Sequence, residues 1–141
     1  MSRIDCPGAT GNVFRSDCPS RQILDALAEK WTLLVIDALI GQPMRTAELR
    51  RAIGGVSEKM LIQTLRKLER NGFVERRVFA EVPPRVEYRL TGLGVSLADM
   101  VIALDRWVEA NFSCVQQAQQ VFDARQAGEA AQRVERRDAP A

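Results

Sequence analysis

From Thr46 to Thr91 the apolar spacing changes once, from a helical repeat to strict alternation, and a turn signal marks each break. Leu49, Ala52 and Ile53 form the inner face of a helix for which Thr46 is the expected N-cap. Gly54-Gly55 follows as a tight turn, because glycine takes a positive φ without a side-chain clash. Ser57 is then placed to cap a second helix running to about Asn71-Gly72, with Leu61, Leu65 and Leu68 stacked at i, i+4 and i+7. Beyond it Val74, Arg76 and Val78 alternate, and so do Val86, Tyr88 and Leu90. Val82-Pro83-Pro84-Arg85 lies between them, which predicts two strands joined by a stiff loop.

The flanking segments extend this pattern. Residues 1–17 are polar and contain glycine, an irregular arm. Pro19, after Cys18, suits a first helical position, and Ile23, Leu24, Leu27 and Ala28 carry a helix to about Glu29. Trp31 to Ile40 is apolar nearly all round, as a central helix is, and Gly41 and Pro43 stop it. Thr91 caps a last, long helix predicted to reach about Arg125. Residues 126–141, rich in Ala, Gln, Arg and Glu, are expected to be a disordered tail. The predicted fold is mostly α with a small β-hairpin: a winged helix-turn-helix over residues 18–125 with a long C-terminal dimerisation helix.

Charge and composition narrow the function. Between Arg45 and Arg89 there are nine Arg and two Lys against six Glu, although the whole chain carries a net charge of only +2. A local basic surplus suits nucleic acid. There is no histidine, and the three cysteines, Cys6, Cys18 and Cys114, are far apart. Such a set makes neither a disulfide framework nor a zinc site, and it removes every Ser-His or Cys-His nucleophile pair. The chain is therefore not expected to be an enzyme or to need a cofactor or metal. The absence of a long apolar run or an apolar leader points to a cytoplasmic protein without membrane contact.

With its leucines inward, the second helix of the pair turns Lys59, Gln63, Arg66 and Arg70 outward, flanked by Met60 and Lys67. The N-terminal part of a recognition helix enters the major groove deepest, so Ser57, Lys59, Met60 and Gln63 are assigned to base edges. Arg66, Lys67 and Arg70 are assigned to phosphates, and Arg45, at the start of the preceding helix, joins the contact set. Arg85, presented by the rigid Pro-Pro loop, is expected in the minor groove, whose negative potential attracts Arg. Arg76, Arg77 and Arg89 either touch phosphate or simply solvate the hairpin.

These segments together resemble the HxlR family of winged-helix regulators, within the MarR-like group. The matching stretches are Cys18-Pro19, Glu29-Lys30-Trp31-Thr32-Leu33-Leu34, Arg45-Thr46-Ala47-Glu48-Leu49 and Val56-Ser57-Glu58-Lys59-Met60-Leu61. They continue through Leu65-Arg66-Lys67-Leu68-Glu69, Gly72-Phe73-Val74-Glu75-Arg76 and Val82 to Thr91, with Pro-Pro-Arg-Val-Glu-Tyr the most telling. Thr46 departs from the pattern, which commonly shows an aromatic residue there. The resemblance implies a sequence-specific transcriptional regulator, a homodimer on a two-fold-related double-stranded operator. The alternative is a winged-helix module that binds protein without DNA.

Two further expectations concern the last helix and the thiols. Leu97, Val101, Leu104, Val108, Asn111, Val115, Ala118 and Phe122 follow a four-three spacing, a dimer seam in which Asn111 can fix register. Met100 and Trp107 form an adjacent stripe, so that one side meets the domain and another the partner. Pairing would set two recognition helices ~34 Å apart. Cys18 precedes a helix N-terminus and has Arg21 nearby, and both favour its thiolate. The resemblance implies sensing of an oxidant, quinone or other electrophile at Cys18, with Cys114 the candidate resolving thiol and Cys6 its rival. A half-buried structural Cys18 is the other reading.

Overall fold

A computed structural model describes residues 10–140; Cys6 and the start of the arm lie outside the described residues. The elements are α1 (Pro19–Leu27), α2 (Lys30–Ala38), α3 (Thr46–Ala52), α4 (Glu58–Arg70), β1 (Val74–Phe79), β2 (Arg85–Leu90) and α5 (Gly92–Asp138). The chain divides into one body up to residue 102 and another from 103 onward, and α5 runs through both. The order is that of a winged helix-turn-helix.

The core of the first body gathers around α2 and α4. Val35, Ile36, Leu49 and Leu61 are 0% exposed, with Leu39, Ile53, Leu65, Leu68, Val74 and Tyr88 packed among them. Leucines at i, i+4 and i+7 on α4 are thus interior, as their spacing requires. Thr64 joins them at 3% exposure; its hydroxyl donates to the Met60 carbonyl, 2.8 Å away, which lets a polar residue sit inside. Ala52, expected on the inner face of α3, is exposed instead, because that helix ends there and Ile53 turns in.

Caps place the helix-turn-helix. Arg45, not Thr46, is the N-cap residue of α3: its backbone N–H donates to the Glu48 carboxylate (3.4 Å), half of a capping box that needs no hydroxyl. Gly55, at φ +85°, makes the turn that brings α4 across α3. The Ser57 hydroxyl accepts from the Met60 N–H at 3.1 Å, capping α4 as expected.

β1 and β2 pair antiparallel, Val74 against Leu90 through Phe79 against Arg85. Arg85 therefore opens β2 rather than ending the loop. Met44 exchanges two backbone hydrogen bonds with Tyr88 (2.9 and 2.8 Å), a bridge tying the start of the helix-turn-helix to the wing. Thr91 caps α5 by accepting from the Gly94 N–H at 3.2 Å. Here α5 comes so close to the chain that a Cβ on Gly94 would strike the Phe73 carbonyl. Gly94→Ala is accordingly expected to cost about 1–3 kcal/mol, since the obstacle is backbone and cannot swing aside. Urea unfolding checks this, and an unchanged midpoint would refute it.

Two expectations for the last helix are corrected. Val101, assigned to the dimer seam, is 3% exposed and part of the core of the first body, with Leu97 packed partly against it. The opening turns of α5 are needed to cover that core. The helix also continues past Arg125 to Asp138 instead of giving way to a disordered tail from residue 126. Ala, Gln, Glu and Arg cannot build a core, but they are strong helix formers, and an exposed helix asks nothing more of them.

Candidate nucleic-acid interface

Around α4 the residues opposite the leucines are solvent-facing: Lys59, Gln63, Arg66 and Arg70 are all exposed, and Met60 is 39% exposed. The stripe on which DNA contact was expected is therefore open. Its charges are of two kinds. None of the ion pairs among the described residues involves Lys59, Arg66, Arg70 or Arg76. Lys67, by contrast, is held by Glu29 at 3.3 Å, and Arg45 by Glu48 at 3.7 Å. Both pairs are exposed and weak, so a phosphate can compete for either cation.

The wing behaves differently. Arg85 lies at 4.1 Å over the Phe79 ring and reaches Glu81 (3.4 Å) and Glu87 (3.5 Å), with its side chain only 30% exposed. As placed, it braces the hairpin and does not extend from its tip. Arg89 is tied to Glu75 at 2.9 Å, and Arg77 stands over Phe79 at 5.8 Å. Ser57 is spoken for in part, because its oxygen caps α4.

Sequence reasoning overlooked Arg50 and Arg51, both exposed in the last turn of α3, the helix that crosses the backbone in this motif. Their position in the last turn of the first helix was the available signal. It also left Arg76 undecided.

The Cys18 thiol is held below its ordinary range. The largest cause is a hydrogen bond with the Ser20 hydroxyl (3.1 Å), followed by the backbone N–H of Asn12 (3.4 Å) and of Ser20; slight burial opposes them. Arg21, the expected cation, instead donates to the Val13 carbonyl at 3.2 Å. The arm folds back to supply these donors, with Gly11 packed against Ser20 so closely that a Cβ there would overlap it. The thiolate is the reactive form, so a lowered pKa moves reactivity toward neutral pH. With Cys6 and Cys114 replaced by serine, iodoacetamide alkylation of Cys18 is expected to reach half its maximal rate below the ordinary thiol value of about 8.5. Ser20→Ala should shift that midpoint upward; an unmoved midpoint would remove Ser20 as the cause.

Cys114 is exposed on α5 in the second body. There Leu104, Trp107, Val108, Phe112, Val115 and Phe122 are 43–58% exposed, a long apolar face for a single helix. Asn111 turns its amide back to the Trp107 carbonyl of its own helix, at 2.8 Å.

Among known proteins, the model of the HxlR-like helix-turn-helix family matches residues 26–116. An uncharacterized HTH-type transcriptional regulator of Escherichia coli, YtfH, is 48% identical over 101 residues, 72% of this chain and 80% of that protein. The solved structure of ytfH from Salmonella typhimurium has a TM-score of 0.74 at 44% identity, over 79% of this chain and 99% of that one. The redox regulator HypR, in its reduced form, superposes with a TM-score of 0.64 at 34% identity, over 70% of this chain and 98% of that one.

Proposed function

Since the chain belongs to the HxlR-like helix-turn-helix family and is a transcriptional regulator rather than an enzyme, we propose that it binds specific double-stranded operator sequences as a homodimer in the cytoplasm. The observation that carries this reading is the exposed stripe of α4, Lys59, Gln63, Arg66 and Arg70, which takes part in no ion pair among the described residues, on a helix whose other side is locked into the core. Lys59, Met60 and Gln63, near its N-terminus, read base edges; Arg66 and Arg70 hold phosphates, joined by Lys67 and Arg45 when these release their carboxylates. Ser57 sets the helix start and offers its hydroxyl hydrogen to the duplex. Arg85 stiffens the wing.

The exposed apolar face of α5, from Leu104 through Val108 to Val115, supports self-association, since a lone soluble helix gains nothing from displaying it. Among the described residues no helix is long and apolar enough to cross a membrane. Regulation passes through Cys18: the thiolate that Ser20 and Asn12 stabilise attacks an oxidant or electrophile, a quinone among them. Likeness to the redox regulator HypR supports this, and Cys114 is the resolving thiol we favour.

Selection of bound duplexes from a random pool, with and without a thiol oxidant, tests the whole reading. The expected product is a two-fold symmetric site with half-sites about one turn apart, ~34 Å, whose recovery changes on oxidation and ceases to change in Cys18→Ser. A pool with no shared sequence would refute specific recognition, and an oxidant effect that persists in Cys18→Ser would refute the sensing role.

A further inference from the structure

Side chains alternate across the hairpin, and the register assigns each cation to one face. Glu75, Arg77, Glu87 and Arg89 share one side with Phe79 and Arg85, and there Arg89 and Arg85 are neutralised by Glu75 and Glu87, while Arg77 stands over the Phe79 ring. Arg76 lies opposite Tyr88 on the other side. That side faces α4 across a cleft of about 710 Å³ lined by Ile62, Arg66, Glu69, Arg70, Arg76 and Tyr88. Three guanidinium groups thus border one concave surface, with Glu69 the single carboxylate lining it and, among the described residues, no ion pair on any of the three arginines.

Three cations with one carboxylate among them leave a net positive charge, so such an arrangement costs the free protein stability and rewards an entering anion. Arginine in particular offers a planar fork that matches two phosphate oxygens. The cleft lies between α4, the helix that the reading above places in the major groove, and the strands of the wing.

We propose that this cleft is a phosphodiester clamp, in which Arg76 of β1 closes with Arg66 and Arg70 of α4 on the backbone of the bound duplex. The inference rests on the DNA-binding reading above and adds to it a contact from the strand. It also divides the labour of the hairpin: Arg76 grips backbone, while Arg85 and Arg89 pair with carboxylates on the far face, where Arg77 also lies.

The test is titration of the full chain with a selected duplex, and with an unrelated one, across a range of KCl concentrations. A phosphate contact contributes about 0.9 to the slope of log K against log salt, which at 0.1 M salt is about 8-fold in affinity. Arg76→Ala is expected to lose about 8-fold at 0.1 M on both duplexes and to flatten the slope by about 0.9, with an unchanged melting temperature. Arg76→Lys should keep the slope, and Arg77→Ala, on the far face, should leave slope and affinity alone. A wild-type slope in Arg76→Ala, with the wild type binding DNA normally, would overturn the clamp and spare the DNA-binding reading. Failure of the wild type to bind any duplex would overturn both.

Discussion

Leu65→Ala is expected to lower the melting temperature by about 8 °C or more and to take DNA binding with it. Leu65 is 1% exposed in the middle of α4, between Leu61 and Leu68, in the cluster that includes Val35 and Ile36 of α2. Truncating a buried leucine costs about 2–5 kcal/mol, as transfer free energy plus the cavity left behind. A domain of this size has only about 5–15 kcal/mol in total. At about 4–8 °C for each kcal/mol in a small domain, even the lower end is a large shift. The recognition helix depends on this anchor for its orientation, so binding should fall even below the melting point. Thermal unfolding followed by circular dichroism checks the first part. A shift under about 4 °C would mean that the α2–α4 contact is not the core of the domain.

Arg66→Ala combined with Arg70→Ala is expected to do the reverse: leave folding intact and weaken duplex binding by about 60-fold at 0.1 M salt, two phosphate contacts at about 0.9 log units each. Both side chains are exposed and take part in no ion pair among the described residues, so their loss leaves nothing buried unsatisfied. Because phosphates carry no sequence information, the loss should be the same on cognate and unrelated duplexes. Anisotropy titration with both duplexes decides it. A loss confined to the cognate site would move these arginines from backbone to bases, and no loss would remove this end of α4 from the interface.

The architecture was legible because its signals are local. Three leucines at helical spacing, Gly55 at a positive φ, the Ser57 cap and two alternating runs around Pro83-Pro84 each name an element, and all stand where expected. What could not be read depends on partners distant in sequence. The sorting of hairpin cations into neutralised and unpaired requires the strand register, so Arg76 and Arg85 carried no mark of their different surroundings. The thiol shift at Cys18 had the right direction for an incomplete reason: sequence proximity suggested Arg21, whereas the donors are Ser20 and the returning backbone at Asn12. Val101 fits a heptad and a domain core equally well, because both are apolar stripes of one helix. Helix propensity without burial, as in residues 126–138, leaves no periodic signature at all.

The central claim is that α4 turns an exposed, charged face to a duplex. The salt dependence of binding by the unmodified chain tests it most directly. Arg66, Arg70 and Arg76 together predict a slope of log K against log salt of about −2.7 for each protomer, at about 0.9 per phosphate engaged, steepening to about −4.5 as Lys67 and Arg45 join them. A binding constant that barely responds between 50 and 200 mM salt would contradict the account and favour a module that binds protein.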